Sequence, residues 1–211
     1  MRQITKSREP QSLTQYKQQG HASYAGLPQQ MRTDLKNSLL TEQGMVCAYC
    51  MQRIKSTAMR VEHWASQDEH PGLQLSYSNM LACCTGNEGQ PKDTYTCDKL
   101  KGNDPLTYSP AKPLDRVDSR IRYLDNGKIK STNVAFDTEL NQVLNLNETR
   151  LVANRRAAVD ALKDRLARRA GARTKDQLRA YLAEVTSKNA KNQLKPFWGA
   201  MAYYLEKRIN R

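Results

Sequence analysis

The spacing of apolar residues predicts a helix near the start of the chain. In residues 28–44, "PQQMRTDLKNSLLTEQG", Met, Leu and Leu-Leu recur at helical intervals. Pro28 is suited to the first turn of a helix, and Gly44 is suited to its end. Residues 1–27 are polar and show no such spacing, so they predict an extended arm that lies on another surface.

A β-hairpin and a run of helices are predicted in the second half of the chain. Residues 120–136 alternate around Asp-Asn-Gly at 125–127, a turn sequence that tolerates positive φ. From about residue 137 the apolar spacing becomes helical, with a long helix from about Glu148 to Ala170. Thr174 is placed to cap a further helix, and a last one follows Pro196.

These patterns predict an α+β fold in three parts. Residues 1–44 form an N-terminal arm and helix suited to partner docking, and residues 113–211 form a hairpin with a mainly helical C-terminal region. Residues 45–112 between them hold all five cysteines and many turn residues, with little periodicity. A compact unit held by ligands is the natural interpretation of that middle part.

The net charge of the chain indicates the class of partner that it binds. The formal net charge is +13, and no run of about 18 apolar residues or apolar leader is present, so we expect a cytoplasmic protein with no membrane contact. A strongly basic chain favours a polyanionic partner such as nucleic acid. The excess of Lys and Arg in 150–179, which includes Arg155 and Arg156, could neutralise phosphates. A solvated helix face, or one facing an acidic subunit, explains it equally well.

The spacing of the cysteines indicates a candidate metal site. Cys47-x-x-Cys50 alone could be a metal knuckle, a redox pair or two buried thiols. Thiols in the cytoplasm remain reduced, and Cys97 together with either Cys83 or Cys84 would complete four ligands for one Zn²⁺. The remaining cysteine would be a small buried hydrophobe.

Further motifs lie between and after the cysteines. "RVEHW" holds Glu62 and His63, "YSNMLACC" holds Asn79, and "CDKLK" holds Asp98 and Lys101. With Cys-x-x-Cys in front, this order resembles the HNH (ββα-metal) nucleases. Cys84 follows the asparagine by five residues, as in that pattern, and is therefore preferred as the fourth zinc ligand. An aspartate replaces the last histidine of the family name.

The resemblance extends to "MRQITK", "LLTEQGMVCAYC", "CDKLKG" and "FWGAMAYYLEKR", which are similar to HNH endonucleases of retron- and Septu-type anti-phage systems. It implies a zinc-stapled ββα-metal core and an effector nuclease that works with an ABC/SMC-like ATPase. In retron systems it also implies a reverse transcriptase with its reverse-transcribed DNA.

The resemblance also implies roles for the motif residues. His63 would act as general base, with its ring held by the Asn79 side chain. Glu62 and Asp98 would hold one Mg²⁺ or Mn²⁺. However, adjacent residues on a regular strand face opposite ways, so Glu62 and His63 share a site only if the strand is distorted.

Two lysines after the last zinc ligand, Lys99 and Lys101, would contact the substrate phosphate. A closed four-cysteine zinc site would be structural, since it has no open coordination position. Three alternatives remain at this stage: a non-catalytic zinc module that binds nucleic acid, an HNH enzyme that acts on RNA such as tRNA, and a scaffold that organises an ATPase.

Overall fold

The chain folds into helices and two small antiparallel sheets in a computed structural model that describes residues 1–168 and 171–211. The strands are β1 (Arg60–His63), β2 (Met80–Cys83), β3 (Ile121–Tyr123) and β4 (Ile129–Ser131). The α-helices are α1 (Gln11–Tyr16), α2 (Gln29–Gln43), α3 (Cys97–Lys101), α4 (Val117–Arg120), α5 (Val134–Thr138), α6 (Thr149–Ala167), α7 (Lys175–Thr186) and α8 (Trp198–Ile209). A π-helical turn, Glu139–Val143, continues α5. The predicted α+β class is confirmed.

Helix α2 forms where the apolar spacing predicts it. Pro28 precedes its first turn, and Gly44 ends it in the left-handed conformation at φ 65°. Leu35, Leu39 and Leu40 are buried and fix the helix against the core. The last turn of α2 thereby leads the chain directly into the first cysteine pair.

Both sheets are two-stranded. Strand β1 pairs with β2 in a regular antiparallel register, in which Glu62 lies opposite Leu81 and His63 lies opposite Met80. The predicted hairpin is formed by β3 and β4, and Gly127 in its turn has φ 88°. A side chain at this glycine would meet the carbonyl oxygen of Val152, so both the conformation and the close approach require glycine.

The C-terminal helices pack into a cluster of their own. Helix α6 begins after Glu148 and ends at Ala167, and the end predicted at Ala170 lies outside the described residues. Thr174 and Gln177 form a reciprocal capping box at the start of α7, which confirms the predicted cap. Apolar residues of α6, α7 and α8 form the cluster: Leu162, Leu166, Leu178, Val185, Met201, Ala202 and Leu205. No helix in the described ranges is long and apolar enough to cross a membrane.

The N-terminal arm, predicted to lie on another surface, lies on the chain itself. Leu13, Tyr16 and Leu27 are buried in the main core, which continues through the cysteine segment to Phe197. Arg2 forms an ion pair of 2.8 Å with Glu206 on α8. Buried residues from 1–44, 45–112 and 113–211 therefore share one core.

Candidate metal centre and neighbouring polar site

Four cysteine side chains meet at one buried point. Cys47 and Cys50 lie in the turn after α2, Cys84 directly follows β2, and Cys97 is the first residue of α3. Their sulfur atoms all lie within 4.8 Å of one another. The Cys50–Cys84 and Cys47–Cys97 sulfur distances are 3.8 and 3.9 Å. Tetrahedral Zn–S bonds of about 2.3 Å place sulfur atoms about 3.8 Å apart, so this set fits a structural Zn²⁺.

The pKa values of the clustered thiols are shifted by burial and by one another. Burial raises the pKa of the Cys50 and Cys97 thiols well above its ordinary value. Burial opposes ionisation of Cys47 too, but hydrogen bonds from the surrounding thiols, Cys50 first, hold its pKa well below its ordinary value. A bound Zn²⁺ would favour the thiolate form of all four cysteines. Cys83 is buried on β2 and is not in the four-ligand set.

A buried glutamine joins the cluster to the first sheet. The Gln43 side-chain nitrogen donates to the carbonyl oxygens of Val46 and Ala82, at 3.0 and 2.8 Å. Its side-chain oxygen accepts from the Ala82 N–H at 2.8 Å. The end of α2, the Cys47–Cys50 turn and β2 are therefore held in register. Gln43 carries no signal in the sequence, because a glutamine at the end of a helix is common and belongs to no motif.

His63, at the end of β1, is held by a backbone carbonyl. Its Nε2 lies 2.9 Å from the Gln74 oxygen, and its ring packs edge-on against Tyr24 with centroids 4.5 Å apart. A carbonyl only accepts hydrogen bonds, so Nε2 carries the proton and Nδ1 is the basic nitrogen. Burial lowers the pKa of His63 below its ordinary value, which favours the neutral ring that a general base requires.

Asn79 does not hold the His63 ring, which corrects the expected role. Its Oδ1 accepts from the Ala65 N–H at 2.8 Å, and its Nδ2 donates to the Ala65 carbonyl at 2.9 Å. Nδ2 also lies 3.5 Å from the carbonyl oxygen of Leu73. Asn79 therefore ties together the two ends of the loop that presents the Gln74 carbonyl to His63. It positions the ring through the backbone, because its own side chain is fully used by the loop.

Glu62, one of the two expected magnesium ligands, lies inside the protein, and its carboxyl is close to that of Asp98, the other. Strand β1 is regular, so Glu62 faces away from His63 and into the protein. Its Oε1 accepts from the Tyr49 hydroxyl at 2.8 Å and from Lys101 Nζ at 3.1 Å. The side chains of Glu62 and Lys101 are 3% and 0% exposed. Burial, and then the nearby Asp98 carboxyl, raise the pKa of Glu62 well above its ordinary value.

The environment of Lys101 also differs from the expected one. Its ammonium group is enclosed beside Glu62 and also donates to the Gly102 carbonyl at 3.2 Å. A lysine without solvent exposure cannot reach a substrate phosphate from this position. Its charge instead balances a buried carboxylate.

Asp98 lies nearer the surface, with its side chain 14% exposed. Its Oδ2 accepts from Arg60 Nε at 2.5 Å. Arg60 and Lys99 both form ion pairs with Glu88, at 3.2 and 2.9 Å. Asp98 is thus the more exposed of the two expected magnesium ligands, and Lys99 is the more exposed of the two candidate phosphate lysines.

The two candidate arginines on α6 have different environments. Arg155 is 2% exposed and donates to the carbonyl oxygens of Gly127 and Leu146, at 2.5 and 2.9 Å. It anchors the β3–β4 turn to α6 and is therefore not available to bind phosphate. The Arg156 side chain is 63% exposed and lies 3.4 Å from Asp160, an i,i+4 pair. Arg156 therefore remains available to an anionic partner.

A comparison with known protein families gave no match, and a comparison with curated proteins gave none either. The geometry provides a buried cluster of four cysteines that could hold a metal ion, a histidine whose Nε2 lies against a carbonyl oxygen, and a partly exposed aspartate.

Proposed function

We propose that the chain is an HNH-type endonuclease that hydrolyses phosphodiester bonds in nucleic acid. The observation that carries the proposal is the arrangement of β1, β2 and α3 around the four-cysteine cluster. His63 ends β1, Cys84 follows β2, and Cys97 and Asp98 begin α3. This succession of strand, strand and helix on one metal site supports a zinc-stapled ββα-metal core.

The chemistry follows from the His63 geometry. Nδ1 of the neutral ring accepts a proton from a water molecule as the water oxygen bonds to phosphorus. The bond between phosphorus and the leaving sugar oxygen breaks, and that oxygen takes a proton from solvent. The Gln74 carbonyl holds the ring during this step, and Asn79 holds the loop that carries the carbonyl.

The two metals of the proposal have different support. Zn²⁺ would stabilise the fold, since Cys47, Cys50, Cys84 and Cys97 close its coordination sphere. The resemblance also implies a catalytic Mg²⁺ or Mn²⁺. Asp98 offers a suitable carboxylate, but Glu62 is enclosed by Lys101, so we derive no catalytic step through that cation.

The biological setting is proposed from the motif resemblance. The chain would be the cytoplasmic effector subunit of a retron- or Septu-type anti-phage complex. An ABC/SMC-like ATPase would be its partner, and in a retron system a reverse transcriptase with its reverse-transcribed DNA would join them. The net charge of +13 supports contact with nucleic acid in such a complex.

A second candidate function is a non-catalytic, zinc-stabilised module that binds nucleic acid or acts as a scaffold in an ATPase complex. The buried Glu62–Lys101 ion pair favours it, because the pair removes one expected catalytic ligand. A structural zinc ion held by the four cysteines would be compatible with both functions.

The test is cleavage of single-stranded DNA, duplex DNA and RNA by the purified protein, with Mg²⁺ or Mn²⁺ and with chelator. We expect cation-dependent cleavage that His63→Ala abolishes. His21→Ala is the matched control, since His21 is exposed and lies outside the site. Binding without cleavage, also in the presence of the ATPase partner, would favour the binding module.

A further inference from the structure

The N-terminal arm contributes an aromatic ring to the environment of His63. Tyr24 lies between α1 and α2, and its ring meets the His63 ring edge-on, with centroids 4.5 Å apart and an angle of 85° between the ring planes. Nε2 of the same imidazole lies against the Gln74 carbonyl oxygen. The histidine ring therefore has two fixed neighbours, one from the loop at Gln74 and one from the arm.

Gln74 joins these two neighbours to each other. Its backbone oxygen lies 2.9 Å from His63 Nε2, and its side-chain Oε1 accepts from the Tyr24 N–H at 3.0 Å. A hydrogen bond to the backbone fixes the place of Tyr24 along the arm, which packing of apolar side chains alone does not. One glutamine thus sets the position of the histidine and of the tyrosine together.

Arg32, on α2, holds the segment that carries Tyr24. Its guanidinium donates to the carbonyl oxygens of Tyr24, Ala25 and Leu27, at 2.9, 2.6 and 2.9 Å. It also lies over the Tyr24 ring, 5.3 Å from the centroid. The planar fork of an arginine suits a clamp on several carbonyl groups. Tyr24 is therefore fixed through its N–H, its carbonyl and its ring before any substrate arrives.

The tyrosine also lies within electrostatic reach of the other proposed catalytic group. Burial raises the pKa of the Tyr24 hydroxyl above its ordinary value; the Arg32 guanidinium opposes this shift and the Asp98 carboxylate adds to it. The phenol is therefore neutral at physiological pH. The arm thus approaches both His63 and Asp98, which belong to segments far from it in the sequence.

We propose that Tyr24 is a positioning residue for His63 and that the N-terminal arm is part of the catalytic site, an inference that rests on the proposed nuclease function. The tyrosine ring prevents the imidazole from turning away from the Gln74 carbonyl. That carbonyl keeps the proton on Nε2, so Nδ1 is directed to accept a proton from water. Removal of the ring opens space in which the imidazole turns, and a displacement of about 1 Å from the reactive geometry can cost about a hundredfold in rate.

The first experiment measures kcat and KM of Tyr24 variants on the nucleic acid that the wild-type protein cleaves. Tyr24→Phe keeps the ring and should retain kcat within about twofold, whereas Tyr24→Ala should lower kcat by at least about tenfold with KM within about twofold. Tyr108→Ala is the matched control and should retain kcat. Tyr108 makes the same two kinds of contact with residues outside the site, edge-on with Phe136 at 5.1 Å and beneath Arg120 at 3.9 Å.

Two kinetic outcomes would overturn the positioning role and leave the nuclease proposal intact. One is a normal kcat for folded Tyr24→Ala. The other is an equal loss for Tyr24→Phe and Tyr24→Ala, which would assign the effect to the hydroxyl group. Circular dichroism checks that each variant is folded. Tyr24→Leu keeps an apolar side chain without a planar ring and takes the place of Tyr24→Ala if the alanine variant does not fold.

The second experiment does not depend on cleavage. Long-range nitrogen–proton correlation spectra at about pH 8, where an imidazole is neutral, show which ring nitrogen of His63 carries the proton. Comparison with His63→Gln assigns its signals among the three histidines. We expect one tautomer, protonated at Nε2, in the wild type and in Tyr24→Phe, and averaged nitrogen shifts in Tyr24→Ala. This result supports the positioning role even if the protein cleaves nothing and the nuclease proposal fails. Averaged shifts in the wild type, or one tautomer in Tyr24→Ala, overturn it.

Discussion

Replacing Lys101 by methionine tests whether this residue stabilises the fold or contacts substrate. Methionine keeps most of the length of the lysine side chain but removes its charge. Nζ lies 3.1 Å from Glu62, and both side chains are almost completely enclosed. Loss of one partner of a buried ion pair costs about 3–5 kcal/mol, because the other charge remains without compensation.

The lower end of that range applies here. Glu62 retains the hydrogen bond from the Tyr49 hydroxyl, and its carboxyl can take up a proton when Lys101 is lost. We therefore expect Lys101→Met to lower the free energy of unfolding by about 3 kcal/mol. Adding Glu62→Gln removes the unpaired charge, so the double variant should recover most of the loss.

Urea unfolding at pH 7 with zinc present, followed by circular dichroism, measures the effect. With a typical dependence of about 2–3 kcal/mol per molar urea, the midpoint should fall by about 1–1.5 M. Lys99→Met, on the same helix but partly exposed, is the control and should shift the midpoint little. A shift below about 0.3 M for Lys101→Met, with lost affinity for nucleic acid, would refute the structural role and restore the phosphate contact.

Three further predictions concern the metal, the arginines of α6 and the ion pairs of Glu184. Cys50→Ser should lose bound zinc and cooperative unfolding; a metal-free variant that unfolds like the wild type by calorimetry would contradict the zinc site. Arg155→Met should lower the melting temperature and reduce the free energy of unfolding by about 2–4 kcal/mol. The control Arg156→Ser, at an exposed position, should change the free energy of unfolding by no more than about 0.5 kcal/mol. Equal effects of the two changes would contradict the burial of Arg155. Hydrogen bonds from Arg165 and Lys195 lower the pKa of Glu184 from 4.5 to about 2, so the stability it contributes is present above pH 4.5 and is lost as pH falls towards 2. In melting curves across this range, Glu184→Gln should remove that part of the acid dependence, and an unchanged dependence would contradict the ion pairs.

Local signals in the sequence were sufficient for most elements of the fold. Pro28 and Gly44 bound α2, the Asn-Gly turn bounds the second hairpin, and Thr174 caps α7. Each of these depends on the conformational preferences of a few neighbouring residues. The burial of the N-terminal arm was not predictable, because its buried residues, such as Leu13 and Tyr16, are too widely spaced to give a periodic pattern. Their burial depends on distant partners, which spacing along the chain does not encode.

The residues of the candidate site were likewise predictable only in part. The cluster of Cys47, Cys50, Cys84 and Cys97 was predictable, because the spacing of cysteines along the chain carries information about a metal site. The surroundings of Glu62, Asn79 and Lys101 were not, because side-chain direction depends on strand register and on which backbone groups need a partner. Strand alternation did predict that Glu62 and His63 face opposite sides.

The ion pair between Arg2 and Glu206 joins residues that are 204 positions apart. During synthesis, the first segment leaves the ribosome long before α8 exists. Arg2 therefore cannot complete its packing until α8 has been synthesised. Docking of this segment on α8 is a late event in folding, because it waits for a partner that is distant along the chain.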